Sequence, residues 1–169
     1  MSDEVNEAVD GAAPVEDLAK LDFSTLHATT GFMVRIAQLQ IFQAFFDCFS
    51  GRGVTTGGYS ALVAIRDNPG IQQGTLADCM LIKRSNMTKL INSLVARELV
   101  ERRVSASDKR AVDLHLTPRG TALLAQIADD AVQHDLEVTR TLSSAERAQL
   151  LDYLGRISAD LRQRRRFEG

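Results

Sequence analysis

Residues 84–120 read RSNMTKLINSLVARELVERRVSASDKRAVDLHLTPRG, and three local patterns succeed one another within them. Met87, Leu90, Ile91, Leu94 and Val95 fall at i, i+3, i+4, i+7 and i+8, the apolar face of a helix expected from about Arg84 to Glu98. The other face carries Ser85, Thr88, Lys89 and Asn92. The period then changes. Val100–Val104 can be a strand, and Ala111–Leu116 alternates, with Val112, Leu114 and Leu116 on one side. Residues 105–110 lie between, which predicts a two-stranded hairpin with a polar, basic tip. Thr117-Pro118 opens another helix, with a hydroxyl at the N-cap and proline at the first helical position.

Outward from this stretch the chain is helical. A short helix is expected near Gln73–Leu81. Before it comes one capped by Thr55 or Thr56, carrying Tyr59, Leu62, Val63 and Ile65, and stopped by Asn68-Pro69-Gly70. From about Asp22 to Phe49 the pattern is helical and apolar on more than one stripe (Phe32, Met33, Ile36, Leu39, Ile41, Phe42, Phe45, Phe46, Phe49). A helix of that kind is covered on several sides, by a second subunit or around a ligand cavity. Downstream, the helix from Thr117 is expected to reach about Arg140, and Ser143 with Glu146 forms a capping box for a last helix bearing Leu150, Leu151, Leu154, Ile157 and Leu161.

A short helix, a helix with a one-sided polar face and a basic hairpin together make a winged helix-turn-helix. The fold expected is mainly α with a small β-hairpin, with long N- and C-terminal dimerisation helices. The organisation is an acidic disordered arm (1–21), a dimerisation helix (22–50), a DNA-binding lobe (55–117) and dimerisation helices (118–166). A helix fits the major groove, where Ser, Thr, Asn and Lys reach base edges and phosphates. An arginine at a hairpin tip can enter the adjacent minor groove.

Charge agrees with this division. The 169 residues carry a net charge of −2, which taken whole argues against a nucleic-acid partner. Residues 1–22, however, hold seven acids against one lysine, whereas residues 82–119 hold nine bases against four acids, a balance of +5. No apolar run reaches the roughly 20 residues of a membrane span. The acidic N-terminus shows no signal peptide, and two cysteines make no disulfide framework, so a cytoplasmic protein is expected.

From Gly74 to Gly120 the residues resemble the MarR (multiple antibiotic resistance regulator) family. The matching pieces are Leu76-Ala77, the run Arg84 to Ile91, Leu94, Leu99-Val100-Glu101-Arg102, the D-x-R wing as Asp108-Lys109-Arg110, and Leu116-Thr117-Pro118-Arg119-Gly120. The resemblance extends over about residues 23–165. It implies a homodimer knit by its terminal helices, bound to a pseudo-palindromic operator in double-stranded DNA. In many members a small aromatic or anionic ligand releases the DNA. The chain departs from the family where glycine is usual. Leu81 lies between the third and fourth helices and Glu98 precedes Leu99-Val100, and a positive φ there costs a non-glycine residue about 1 kcal/mol. Lys83 stands where a small N-cap is usual.

The DNA-binding candidates are Lys83, Arg84, Ser85, Asn86, Thr88, Lys89 and Asn92 on the helix, and Ser107, Asp108, Lys109 and Arg110 on the wing. Arg110 is the minor-groove candidate; Asp108 fixes the wing or orients an arginine. Arg102 and Arg103 lie on opposite strand faces, so at most one faces phosphate. Arg35 and Gln38 interrupt the apolar first helix one turn apart, and with Phe42, Phe45 and Tyr59 they are the candidates for an anionic effector; the family suggests a phenolic acid or its acyl thioester. Cys48 offers a redox-sensing alternative, though a buried thiol is the ordinary state, and Cys79 is expected in the core. The three histidines show no metal spacing, and no nucleophile or phosphate-binding motif is present, so neither a metal, a cofactor nor an enzyme is expected. A helical dimerisation or protein-docking module, its wing idle, is the remaining alternative.

Overall fold

The computed structural model describes residues 21–105 and 111–167, with side chains to Arg164. The chain forms two compact units, residues 1–40 and 41–169. The acidic arm to residue 20 and the hairpin tip at residues 106–110 lie outside the described residues.

In the first unit the single helix expected from Asp22 is two: α1 (Ser24–His27) and α2 (Thr30–Phe49), the latter continuing into the second unit. Thr29 marks the break. Its hydroxyl donates to the Leu26 carbonyl at 2.8 Å, the kind of local side-chain bond that competes with continuous helix. Asp22 accepts from the Ser24 N–H at 2.8 Å, and that bond holds its carboxyl below the usual range.

In the second unit a 3₁₀ turn (Ser50–Arg52) ends at Gly53, whose φ of 63° turns the chain into α3 (Thr56–Asp67). The Thr55 hydroxyl caps α3 by accepting from the Gly58 N–H at 3.1 Å. Then follow β1 (Ile71–Gln72), α4 (Gln73–Met80), α5 (Arg84–Ala96), β2 (Val100–Val104), β3 (Val112–Leu116), α6 (Pro118–Val138) and α7 (Ser144–Phe167). The sheet is antiparallel in the order β1-β3-β2, with Ile71 and Arg102 both opposite Leu114. A hairpin alone was expected. The third strand is two residues long, too short to show an alternation, and is set by Gly70, whose N–H donates to the Leu114 carbonyl at 3.0 Å.

The core joins every element of the lobe. Leu62 and Ile65 of α3, Leu76 of α4, Met87 and Ile91 of α5, Val100 and Leu114 of the sheet and Ile127 of α6 are all at most 1% exposed. Full burial of one such side chain contributes about 1.5–3 kcal/mol, so α5 cannot turn about its axis without losing several. The hydroxyl of Thr117 accepts from the Gly120 N–H at 3.0 Å and donates to the Glu98 carbonyl at 2.5 Å. Gly120 is required at this crossing, because a Cβ there would lie 2.1 Å from the Leu99 carbonyl oxygen. Ser143 and Glu146 form the expected box: the carboxylate accepts from the Ser143 N–H at 2.8 Å and hydroxyl at 2.7 Å, which lowers its pKa.

Both cysteines are exposed, against the expectation of burial. α4 buries Leu76 and Ala77; Cys79 comes about 200° after Ala77 around the helix and faces away. Two apolar stripes are also exposed among the described residues. Leu150, Leu154, Ile157 and Leu161 of α7 are 38–53% exposed, and Phe42 and Phe46 of α2 are 44% and 57% exposed.

Candidate nucleic-acid interface

Burial of Met87, Ile91 and Leu94 fixes which side of α5 faces out. Lys83, Arg84, Ser85, Asn86, Thr88, Lys89 and Asn92 are all exposed, so the structure brings the seven helix candidates onto one accessible surface. The four wing candidates Ser107, Asp108, Lys109 and Arg110 lie outside the described residues.

The ends of α5 explain how the lobe manages without the usual glycines. Leu81 has φ 55° and Glu98 φ 58°, both left-handed, a conformation that costs a non-glycine residue about 1–2 kcal/mol. Each is held by its neighbours. After Leu81 the Ile82 N–H returns to the Ala77 carbonyl at 3.0 Å, ending α4. At Glu98 the carbonyl accepts from Thr117, the carboxylate takes Arg119 at 3.0 Å, and the next N–H, of Leu99, donates to Leu94 at 2.9 Å. These bonds tie the end of α5 to the start of α6.

Lys83 makes no side-chain cap, so the first-turn N–H groups of α5 carry no competing acceptor from it. Arg84 pairs with Asp78 at 3.4 Å, with side chains 77% and 66% exposed. Such a pair contributes about 0–1 kcal/mol, so Arg84 is readily transferred to a phosphate. Arg102 and Arg103 do point to opposite sides. Arg102 donates to Asn92 Oδ1 at 2.7 Å, while Arg103 Nε donates to Glu101 at 3.1 Å.

A cleft of about 430 Å³ lies elsewhere in the same unit, lined by Ile41, Phe45, Thr56, Tyr59, Ala131, Val132, His134, Asp135, Val138 and Arg147. Phe45 and Tyr59 were expected at an effector site; Phe42, Arg35 and Gln38 are exposed on α2. His134 sits edge-on to Phe45 (5.4 Å) and Phe49 (6.1 Å), and its buried Nε2 has no hydrogen-bond partner among the described residues. Arg147 pairs with Asp135 at the rim. A second cleft, of about 300 Å³, has Arg52, Arg97 and Arg119 in its wall. Their charge is engaged within the fold, with Asp130, the Gly53 carbonyl and Glu98 respectively.

The sequence pattern of the MarR family matches residues 52–111. A protein of Thauera aromatica named for transcriptional regulation of the hcr operon is 36% identical over 142 residues, covering 83% of this chain and 86% of that protein. This chain belongs to the MarR family. Solved structures that share its fold include a DNA-bound repressor and a ligand-regulated one. The repressor CouR bound to a 23-mer DNA duplex is 31% identical with a TM-score of 0.76, covering 82% of this chain and 99% of that one. BpsR of Bordetella bronchiseptica, whose DNA binding is regulated by 6-hydroxynicotinic acid, is 25% identical with a TM-score of 0.73, covering 82% and 96%.

As a MarR-family repressor the chain is a DNA-binding transcriptional regulator and not an enzyme, which removes the docking-module alternative. Sequence reasoning missed His134 and Arg147 as cleft residues. A signal for His134 was present: it continues the stripe Leu124, Ile127, Ala131 at helical spacing, a histidine where an apolar residue is expected. Arg147, in the first turn of α7, carried none.

Proposed function

We propose that this chain is a homodimeric, cytoplasmic repressor that inserts α5 into the major groove at each half of a pseudo-palindromic operator. The observation that carries the reading is the two-sidedness of α5, which buries Met87, Ile91 and Leu94 and exposes the seven polar and basic candidates. The wing residues Ser107 to Arg110 would follow the adjacent backbone and minor groove. The uncovered stripes of α2 and α7 support a dimer, because obligate interfaces of about 2,000 Å² or more are built from such surfaces. Five cations per lobe (Lys83, Arg84, Lys89, Lys109, Arg110) would let the dimer neutralise about 6–10 phosphates.

The effector in this reading is a small aromatic acid, or its acyl thioester, in the 430 Å³ cleft. Phe45, Tyr59 and Val132 offer apolar walls, and the unpartnered Nε2 of His134 and the guanidinium of Arg147 offer polar contacts. Fluorescence anisotropy on an operator duplex tests both parts. Affinity is expected to fall about 10³–10⁵-fold between 50 and 200 mM salt. An aromatic acid or thioester from a panel is expected to release the wild type while leaving His134→Phe bound. A flat salt response refutes the interface; release of both proteins alike refutes the cleft.

A further inference from the structure

Two arginines tie the last helix to the rest of its chain. From Ser144 to Arg164, Arg147 is partly buried and every other residue of α7 is exposed. Near the start of the helix, Arg147 pairs with Asp135 of α6 at the rim of the 430 Å³ cleft. Near its end, Arg162 Nη2 donates to the Cys79 carbonyl of α4 at 2.8 Å, across 83 residues of sequence. Between the two arginines the helix advances about 22 Å and turns by about 60° beyond whole turns, so both ties lie on one side of α7.

The far tie falls where α4 lacks partners of its own. The last four carbonyls of a helix find no N–H within it, and in α4 these belong to Ala77, Asp78, Cys79 and Met80. Ala77 accepts from Ile82 at 3.0 Å, just past the left-handed Leu81, and Cys79 accepts from Arg162. A cation there also suits the negative end of the helix. The side chain of Asp78, between them, holds Arg84 of α5. The guanidinium of Arg162 thus fastens the turn that presents the first residues of α5.

We infer that Arg162 is a positioning residue for DNA binding, which sets the turn between α4 and α5 from α7 and so carries the state of the cleft to α5. The inference rests on the proposed effector cleft and on the proposed entry of α5 into the major groove. A ligand that draws Arg147 from Asp135 into the cleft frees the near end of α7. The exposed residues of α7 give it no buried face in the described chain to resist the shift. The tie at Arg162 takes up the movement, and the end of α4 is dragged or released with it.

The test is a double-mutant cycle in the full-length chain, read by fluorescence anisotropy on an operator duplex. Asp135→Ala cuts the near tie and Arg162→Met the far one. Each alone is expected to weaken operator binding about threefold or more, and both together little more than either, because the two cuts break one link. The salt slope is expected to stay as in the wild type. A second readout needs no DNA. Amide hydrogen exchange at Ile82, whose bond closes α4, is expected to quicken about threefold or more in both single variants, while exchange at the buried Ile91 holds. The inference is overturned if the two substitutions weaken binding as independent factors. It is overturned if Arg162→Met weakens operator and random duplex alike and lowers the salt slope by about one per lobe, for that is a phosphate contact. It is overturned as well if Arg162→Met sediments as a monomer, which places the residue in the subunit contact. The cycle uses no ligand, so a wrong effector cleft shows separately, as equal release of the wild type and His134→Phe. Equal binding of operator and scrambled duplex by the wild type is the failure of α5 as the reading helix. Exchange at Ile82 then decides the link alone: faster in Asp135→Ala supports it, and unchanged overturns it.

Discussion

Replacing Gly120 with alanine puts the greatest strain on the joint that holds α5, the wing and α6 together. The new methyl would lie 2.1 Å from the Leu99 oxygen, 3.0 Å from its carbonyl carbon and 3.3 Å from its Cα, where ordinary contact begins at 3.4 Å. The obstacle is backbone and cannot swing aside. The Leu99 carbonyl accepts from Thr117 at 3.2 Å, its N–H donates to Leu94, and its side chain is 2% exposed. The start of α6 must therefore retreat by about 1 Å or more, pulling Leu124 and Ile127 from their packing. Overpacking of this kind costs typically about 1–3 kcal/mol, and a fixed backbone obstacle belongs at the upper end. For a chain of this size about 3 kcal/mol lowers the melting midpoint by about 6–12 °C. The assay is thermal unfolding followed by circular dichroism, at one protein concentration because a dimer's midpoint depends on it. Gly57→Ala is the control. Its Cβ would meet only Leu90 Cδ2 at 3.9 Å, so the midpoint should hold or rise. A Gly120→Ala midpoint within about 2 °C of wild type would refute the argument that this crossing is rigid.

Three further outcomes are expected. Arg110→Ala should weaken operator and scrambled duplex together, as a groove-shape and phosphate contact does, whereas Asn86→Ala should cost the operator more, by up to about 1–3 kcal/mol of discrimination; paired titrations at one salt concentration separate them. Leu154→Glu with Ile157→Glu should give a folded monomer by sedimentation that has lost operator affinity, and a dimer that survives both charges would place the interface elsewhere. Glu146, held below its ordinary value of 4.5 by the hydroxyl and then the N–H of Ser143, contributes stability that is complete above that value and lost as pH falls through the lowered one. Ser143→Ala should accordingly flatten the acid limb of the stability profile, and an unchanged limb shows that the box does not couple to unfolding.

Much of the fold was written locally in the chain. The apolar spacing from Met87 to Val95 set which face of α5 is buried, and so which residues are exposed to bind. The caps at Thr55, Thr117 and Ser143 each make the bond their position called for, because a cap involves residues only two or three apart. At Leu81 and Glu98, where the family resemblance puts glycine, the sequence left open whether the backbone would change or the strain would be borne, and both residues keep the left-handed conformation.

What only the tertiary structure decided depends on partners far apart in sequence. A two-residue β1 has no periodicity of its own and exists because Leu114 pairs with it. Cys79 lies on the wrong side of α4 to be buried, a matter of which flank the core presents to an eight-residue helix. His134 and Arg147 meet Phe45 and Tyr59 in one cleft only once α2, α3, α6 and α7 are packed. The bonding of Asn92 and Thr88 inside the protein is the clearest case. Their residue types already marked them as groups that can bond a base, but a hydroxyl and an amide each both donate and accept. Which groups inside the protein they bond was settled by Gln73, 15 residues before Thr88, and Arg102, 10 residues after Asn92, because those partners come from other elements of the lobe.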